Sequence, residues 1–386
     1  MSQAKTTAFI DTAEQLQTFC ADIAEADWLA IDTEFIREKT YYPQWCLLQV
    51  AAPDGQIACI DTLAISDLQP MMDLLFDPGI TVILHAASQD MELFYHHSGR
   101  LPAPLFDTQI AASLAGHGDQ VGYGNLVQAV LGITLEKGHA RCDWARRPLA
   151  ADELAYAADD VRHLGALYTS LCADLEQRGR LRWLDAEFAS YSDPLRYAPN
   201  PEMAWKRVRG LGRLKPRQQQ LGARIAAWRE SEAMRANRPR KWILSDETLQ
   251  DIARRPPHHL ADLAKLRDIG QSRVDKYGQI LLDIAQDISS LPDEALITRE
   301  RKLTAEQEPL VDILMAVLRE CARENALSVA SLGKRADLEA MIAGNQDIAL
   351  LKGWRLAAAG EALLNILQNK TAVGVSNGRL DIREVS

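Results

Sequence analysis

Five residues stand out for the chemistry that their types and spacing permit: Asp32 and Glu34 in LAIDTEF, Asp90 in HAASQDMELF, and Tyr156 and Asp160 in YAADD. Side chains alternate along a strand, so Asp32 and Glu34 share a face and Thr33 takes the other. The apolar residues ahead of them indicate a buried strand, at whose end two neighbouring carboxylates repel each other and lose hydration. A cation between them removes that cost, and hard divalent ions prefer oxygen ligands. On a helix, residues four apart lie side by side, so Tyr156 and Asp160 project together while Asp159 is rotated off that pairing. Each piece has a plainer explanation when taken singly. D-x-E describes a strand that surfaces in two solvated acids; Asp90 complements a helix dipole behind a Ser88 N-cap; Tyr156 is a core tyrosine beside a surface aspartate. Taken together, four acids meeting at one sheet edge form the set that two-metal phosphodiester hydrolysis requires, with carboxylates bridging divalent ions about 3.5–4 Å apart. A free phenol ionises near pH 10, so the role expected of Tyr156 is to hold and orient the attacking water.

These residues need a scaffold that brings distant segments together. TTAFI and WLAID read as strands around a helical DTAEQLQTFCADIAE, and YPQWCLLQVAA and QIACID follow as strands parted by the turn residues Pro53, Asp54 and Gly55. A helix over SDLQPMMDLLF leads to the buried strand TVILHA and a helix SQDMELFYHH. Beyond Pro104 the pattern turns helical: DTQIAASLAG, GNLVQAVLG and one long helix over ADELAYAADDVRHLGALYTSLCADLEQRG. This order predicts an α/β fold, a mixed sheet flanked by helices, over residues 1–200. After Pro201 strand signals nearly vanish, and two small all-α bundles are expected over 203–292 and 293–370. YGQILLDI (277–284) and AGEALLNI (359–366) share Gly, the Leu-Leu pair and the final Ile in register, each behind a Gly-containing turn, DIGQSR or LKGWR. Residues 371–386 lack a core pattern and read as a flexible tail.

Composition narrows the class. With 386 residues, 47% hydrophobic and 25% charged, the chain is expected to be a multidomain globular protein. No secretory signal and no apolar run of membrane-spanning length is read from it, and the six scattered cysteines offer neither a zinc motif nor a disulfide framework. A cytoplasmic protein without a membrane partner, and monomeric by default, is the expectation. The net charge of -10 is unevenly spread: Trp205 to Lys241 holds twelve Lys or Arg against Glu230 and Glu232, leaving about -20 for the remainder. Lys206, Arg207, Arg209, Arg213, Lys215, Arg217, Arg240 and Lys241 are the candidate nucleic-acid contacts, with Trp205, Trp228 and Trp242 interleaved for stacking.

LAIDTEF, HAASQDMELF and YAADDV resemble the three exonuclease motifs of the DEDD superfamily, in the subgroup with tyrosine four residues before the last aspartate. REKTYYPQWCLLQVA, LFDTQIAASLAG and CDWARRPL resemble the corresponding stretches of the ribonuclease D family, and the C-terminal repeat resembles tandem HRDC domains. The likeness runs from about Ala8 to about Asn369. It implies a ribonuclease H-like fold over 1–200, HRDC domains over 203–292 and 293–370, and release of nucleoside 5′-monophosphates from the 3′ end of RNA. It also implies two Mg or Mn ions per site, tRNA precursors as substrates, Asp32, Glu34, Asp90 and Asp160 as metal ligands, and Tyr156 as the water-orienting phenol. Asp159 stands where the family has small residues. Asp107 is read as a helix N-cap and His85 as a satisfied histidine near the core. A DNA exonuclease of the proofreading type and a non-catalytic RNA-binding scaffold remain the alternatives; no G-x-x-x-x-G-K-[ST] supplies a helicase motor.

Overall fold

The computed structural model describes residues 7–135, 142–266, 268–296 and 303–385; Thr6, expected to begin the first strand, lies outside them. Six strands form one mixed sheet: β1 (Ala8–Ile10), β2 (Trp28–Ile36), β3 (Gln44–Ala51), β4 (Ile57–Ile60), β5 (Thr81–Leu84) and β6 (Leu105–Asp107), in the order β1-β4-β3-β2-β5-β6. β1 pairs parallel with β4, β4 antiparallel with β3, and β5 parallel with both β2 and β6. The strands that read as apolar runs are buried on both faces, as a sheet covered by helices requires. The covering helices are α1 (Ala13–Asp22), α2 (Gln69–Leu75), α3 (Ser88–Ser98), α4 (Thr108–Ala115), α5 (Tyr123–Leu131), α6 (Ala151–Arg162), α7 (Leu164–Gln177) and α8 (Trp183–Ala189). One face packs Leu29, Ile31, Leu48, Val50, Ile60, Val82 and Leu84 against Leu16, Met71, Leu75, Met91 and Phe94.

Two local readings change. LFD, read as the start of a helical stretch, is the edge strand β6, and its Asp107 caps α4 by accepting from the backbone N–H groups of Gln109 and Ile110. The long helix expected over 151–179 is two helices meeting at His163, where the Tyr123 hydroxyl accepts from the His163 N–H and donates to the Asp159 carbonyl.

The chain divides into two compact units that interleave in sequence: Met1–Phe35, Trp45–Tyr197 and Leu303–Ser386 make one, Ile36–Gln44 and Ala198–Lys302 the other. The second unit is all-helical, built from α9 (Pro216–Arg235), α10 (Arg240–Ile243), α11 (Asp246–Arg254), α12 (Leu260–Ala264) and α13 (Gln271–Gln286). It includes the segment after β2: the Tyr41 hydroxyl donates to Glu230 at 2.5 Å, and the N–H groups of Tyr41 and Tyr42 donate to Asn237.

In the first unit, α14 (Glu308–Glu324), α15 (Val329–Leu332), α16 (Arg335–Ile342) and a helical run of α17 (Gly353–Arg355), a π turn and α18 (Glu361–Leu367) pack as a bundle with the sheet region. The rings of Trp183 and Trp354 stack at 4.7 Å and 6°, and Glu187 accepts from the Trp354 indole at 2.9 Å and from Arg355 at 2.6 Å. Gly278 and Gly360 hold matching places in the repeated octapeptide for the same reason: a Cβ would lie 2.7 Å from the Leu260 side chain or 2.5 Å from the Leu350 carbonyl. Residues 371–386, expected to be a flexible tail, instead form an antiparallel hairpin of β7 (Thr371–Ser376) and β8 (Arg379–Glu384) as far as they are described. Asn377 and Gly378 both take positive φ, 51° and 73°, the two-residue turn whose twist matches that of paired strands.

Candidate active site

β2 lies between β3 and β5, and the register Trp28↔Thr81, Leu29↔Val82, Ala30↔Ile83 carries it past the end of β5. Asp32 and Glu34 therefore emerge beside the turn that leads from β5 into α3. Ala86 in that turn has φ 61°, which a residue with a Cβ adopts only when its surroundings insist. Asp107 supplies the insistence. Fully buried, it accepts from the N–H groups of Ala86 and Ala87 at 3.1 and 2.9 Å while also capping α4. The same two bonds occupy the start of α3, where Ala87 is the N-cap and Ser88, expected in that place, is already helical. His85 is satisfied on both ring nitrogens, by Thr108 at 2.9 Å and the Val121 carbonyl at 3.0 Å, and burial lowers its pKa.

The structure brings three of the four acids into one cluster: ligand oxygens of Asp32, Glu34 and Asp160 all lie within 4.8 Å of one another. Asp90, in the first turn of α3 and only 7% exposed, stands just outside. Its charge reaches both Asp32 and Glu34. Thr33 has a part that its alternation in the strand did not suggest, for its hydroxyl donates to Asp90 at 2.5 Å. Burial, then mutual repulsion with Asp90, Asp160 and Glu34, holds the Asp32 carboxyl well above its ordinary range. Burial and the charges of Asp160 and Asp90 push Glu34 up to about 8. Burial raises Asp90 to about 7 against the Thr33 hydrogen bond, and Asp160 to about 7 against its bond with Tyr156. Protein groups alone do not stabilise four carboxylates here as anions, and the missing positive charge fits hard divalent ions held by oxygen donors.

Tyr156 sits one turn before Asp160 on α6, hydrogen-bonded to it, and burial with the charges of Asp160, Glu34 and Asp32 raises the phenol further above its ordinary value. Its ring lies along that of Trp144, with centroids 6.5 Å apart and planes at 27°. Trp144 is held in turn by Arg147, whose guanidinium donates to both oxygens of Asp61 at 2.5 and 2.7 Å, to the Cys46 carbonyl at 2.8 Å and to the Trp144 carbonyl at 2.8 Å. Arg147 thus fastens the Cys142–Leu149 segment to β3 and to the end of β4, and the segment backs Tyr156. Sequence reasoning misses Thr33, Trp144, Asp61 and Arg147; the CDWARRPL stretch carries only a family resemblance. Asp159 is half exposed and pairs with Arg162 at 2.6 Å, apart from the cluster.

The basic stretch folds less openly than its composition suggested. Arg207 and Arg240 approach the buried Glu230 at 3.5 and 3.0 Å, Lys241 approaches Asp246 at 3.5 Å, and Arg217 approaches Asp293 at 3.9 Å. Lys206 lies over the Trp205 ring. Arg209, Arg213 and Lys215 are exposed and form no ion pair among the described residues. Of the interleaved tryptophans, Trp228 packs edge-on against Tyr277, Trp205 is half-buried, and Trp242 is 48% exposed.

Comparison with known proteins agrees with this geometry. The chain matches the 3′-5′ exonuclease family over residues 7–176 and the HRDC domain over 218–285. Curated relatives named ribonuclease D, from Zymomonas mobilis and Sphingobium indicum, are each 39% identical over 385 residues, covering 96% of this chain and 96% and 97% of theirs. The crystal structure of Escherichia coli RNase D, described as an exoribonuclease involved in structured RNA processing, aligns with a TM-score of 0.82 at 30% identity, over 94% of this chain and 99% of that one. The catalytic core of RRP6 from Trypanosoma brucei shares the fold, with a TM-score of 0.58 at 24% identity over 75% of this chain and 82% of its own. Acid cluster, exonuclease sheet, HRDC region and full-length likeness converge, and the chain belongs to the ribonuclease D family of 3′→5′ exoribonucleases.

Proposed function

We propose that Asp32, Glu34, Asp90 and Asp160 hold two divalent ions, Mg or Mn, at which RNA is hydrolysed from a free 3′ end to nucleoside 5′-monophosphates. The observation that carries the reading is the convergence of Asp32, Glu34 and Asp160 oxygens within 4.8 Å, with the Asp90 charge felt by the first two. Asp32, Glu34 and Asp160 would be the shared donor set, and Asp90 would serve the second ion directly or through water. The Thr33 hydroxyl donates to Asp90 Oδ1 and so fixes the orientation of that carboxylate. When bound, such ions supply Lewis-acid activation of water and neutralise charge on the departing 3′ oxygen. Tyr156, its phenol held protonated by burial and by three neighbouring acids, orients the water through a hydrogen bond and does not act as a base.

The substrate we assign is structured RNA carrying a 3′ trailer to be trimmed, tRNA precursors foremost, processed by a cytoplasmic, monomeric enzyme. Arg209, Arg213 and Lys215 lead its phosphate contacts, with Lys206, Arg207, Arg217, Arg240 and Lys241 contributing where substrate displaces their internal partners. The test is incubation of a tRNA precursor with purified protein, with and without magnesium, reading product ends at single-nucleotide resolution. Stepwise 3′ shortening that stops on chelation is the expected result; a DNA strand of equal sequence, which lacks the 2′-hydroxyl, is expected to be cut more slowly. Equal cleavage of both strands would remove the RNA assignment.

A further inference from the structure

The all-helical unit holds a groove of about 590 Å³ lined by Trp242 but by none of the eight basic residues named above as candidate contacts. Ten residues form it, among them three cations, Arg238, Arg273 and Lys276, and no carboxylate. One wall is Trp242, 48% exposed, with the Arg238 guanidinium 5.8 Å from its ring centroid. Arg273 is fixed by the carbonyls of Trp242 at 3.1 Å, Asp268 at 3.3 Å and Ile269 at 3.4 Å, and it ties the Trp242 backbone to the start of α13. Lys276, also in the lining, is exposed and stands 4.9 Å from the Tyr277 ring centroid. Glu232, the acid that both Lys276 and Tyr277 approach, is already occupied: it pairs with Arg235 at 2.7 and 2.8 Å and accepts from the Tyr277 hydroxyl at 3.0 Å.

We propose that this groove binds one unpaired nucleotide of the RNA, its base stacked on Trp242 and its phosphates held by Arg238 and Lys276. The inference rests on RNA being the substrate, and it adds a site remote in sequence from the carboxylates. The half-exposed Trp242 indole offers a flat apolar face. Arg238 beside that face, with Arg273 and Lys276 in the same groove and no carboxylate in its lining, suits the sugar-phosphate chain next to a base. The size lies within the roughly 300–1,000 Å³ of ligand clefts. An acidic peptide would use the cations and leave the indole idle; duplex RNA would hide the base edges and faces from it.

The test measures binding of a fluorescent single-stranded oligouridylate to the full chain, in chelator so that no cleavage intervenes, across a salt series. Trp242→Ala is expected to weaken binding about tenfold at every salt concentration, as loss of one base stack does. Trp242→Phe should recover most of that loss, and an oligonucleotide of abasic sites should bind the wild type and Trp242→Ala equally. Arg238→Ala with Lys276→Ala should shrink the slope of log K against log salt by about 1.4, from two phosphate contacts. Unchanged affinity and slope in these variants would overturn the proposal, as would displacement of the RNA by polyglutamate with equal effect on wild type and Trp242→Ala. Thermal unfolding identifies any variant that has lost its fold, in which case Trp242→Phe and the abasic strand decide. Absence of RNA cleavage by the wild type in magnesium would instead strike at the exonuclease reading, leaving these binding results to judge the groove.

Discussion

Replacing Glu34 by Gln is expected to stabilise the metal-free protein while reducing turnover by orders of magnitude. In the folded chain Glu34 ionises at about 8, against an ordinary 4.5, because it is buried beside Asp160 and Asp90. Unfolding returns it to its ordinary value, so between those two pH values the native state binds the extra proton. Unfolding free energy then falls as pH rises: the penalty is absent below 4.5, builds across the interval and is complete above about 8. At about 1.4 kcal/mol per pH unit the displacement corresponds to at most ~5 kcal/mol. Repulsion shared with the other acids, and partial contact with solvent, bring the gain from one substitution to about 1–3 kcal/mol. The assay is urea unfolding in chelator at several pH values from about 5 to about 9. Wild type should lose stability across that range and the variant should lose less, the two coinciding at the acid end. Magnesium should restore the wild type at high pH and help the variant little. Parallel curves, or a variant less stable than wild type at high pH, would refute the claim that the site is held under electrostatic strain which cations relieve.

Asp32→Asn should lower hydrolysis by several orders of magnitude with the circular dichroism spectrum unchanged, and a chelator should do the same to the wild type. Tyr156→Phe should cut kcat about 10²-fold while leaving the magnesium dependence of stability intact, since it removes a water-orienting hydroxyl and no ligand; full activity would exclude that role. Arg147→Ala strands the buried Asp61 and releases the segment behind Tyr156, so about 2–4 kcal/mol of stability should go, with a loss of kcat at constant KM. Glu187→Gln should lower the thermal midpoint by weakening the Arg355 ion pair, with the cleavage chemistry retained.

The parts of the site that were legible in the sequence are those set by local periodicity. Asp32 and Glu34 fall on one face because strands alternate, Tyr156 and Asp160 on another because four residues make a helical turn, and Asp107 caps α4 as its position suggested. Thr33 and Asp90 are 57 residues apart and Arg147 and Asp61 are 86 apart, so no local pattern announces either pair. The charge count over 205–241 overstated the open basic surface because it cannot see that Glu230 is buried where Arg207 and Arg240 converge on it. The terminal hairpin did carry a signal: Asn-Gly between two short alternating runs specifies a tight strand reversal, and an absence of core pattern does not argue against it. At three residues, β6 offered too little periodicity to be separated from the helix that follows.

The stack of Trp183 on Trp354 and the clasp of Glu187 on Arg355 set a timetable for biosynthesis. Glu187 leaves the ribosome 168 residues before the arginine that receives it. At about 5–20 residues per second, the nascent catalytic region waits roughly ten to thirty seconds for its last helices. Residues 198–302 of the helical unit are synthesised during that delay, before the indole of Trp183 has Trp354 to stack on. A chain that ends before residue 354 lacks both the indole that stacks on Trp183 and the arginine that donates to Glu187.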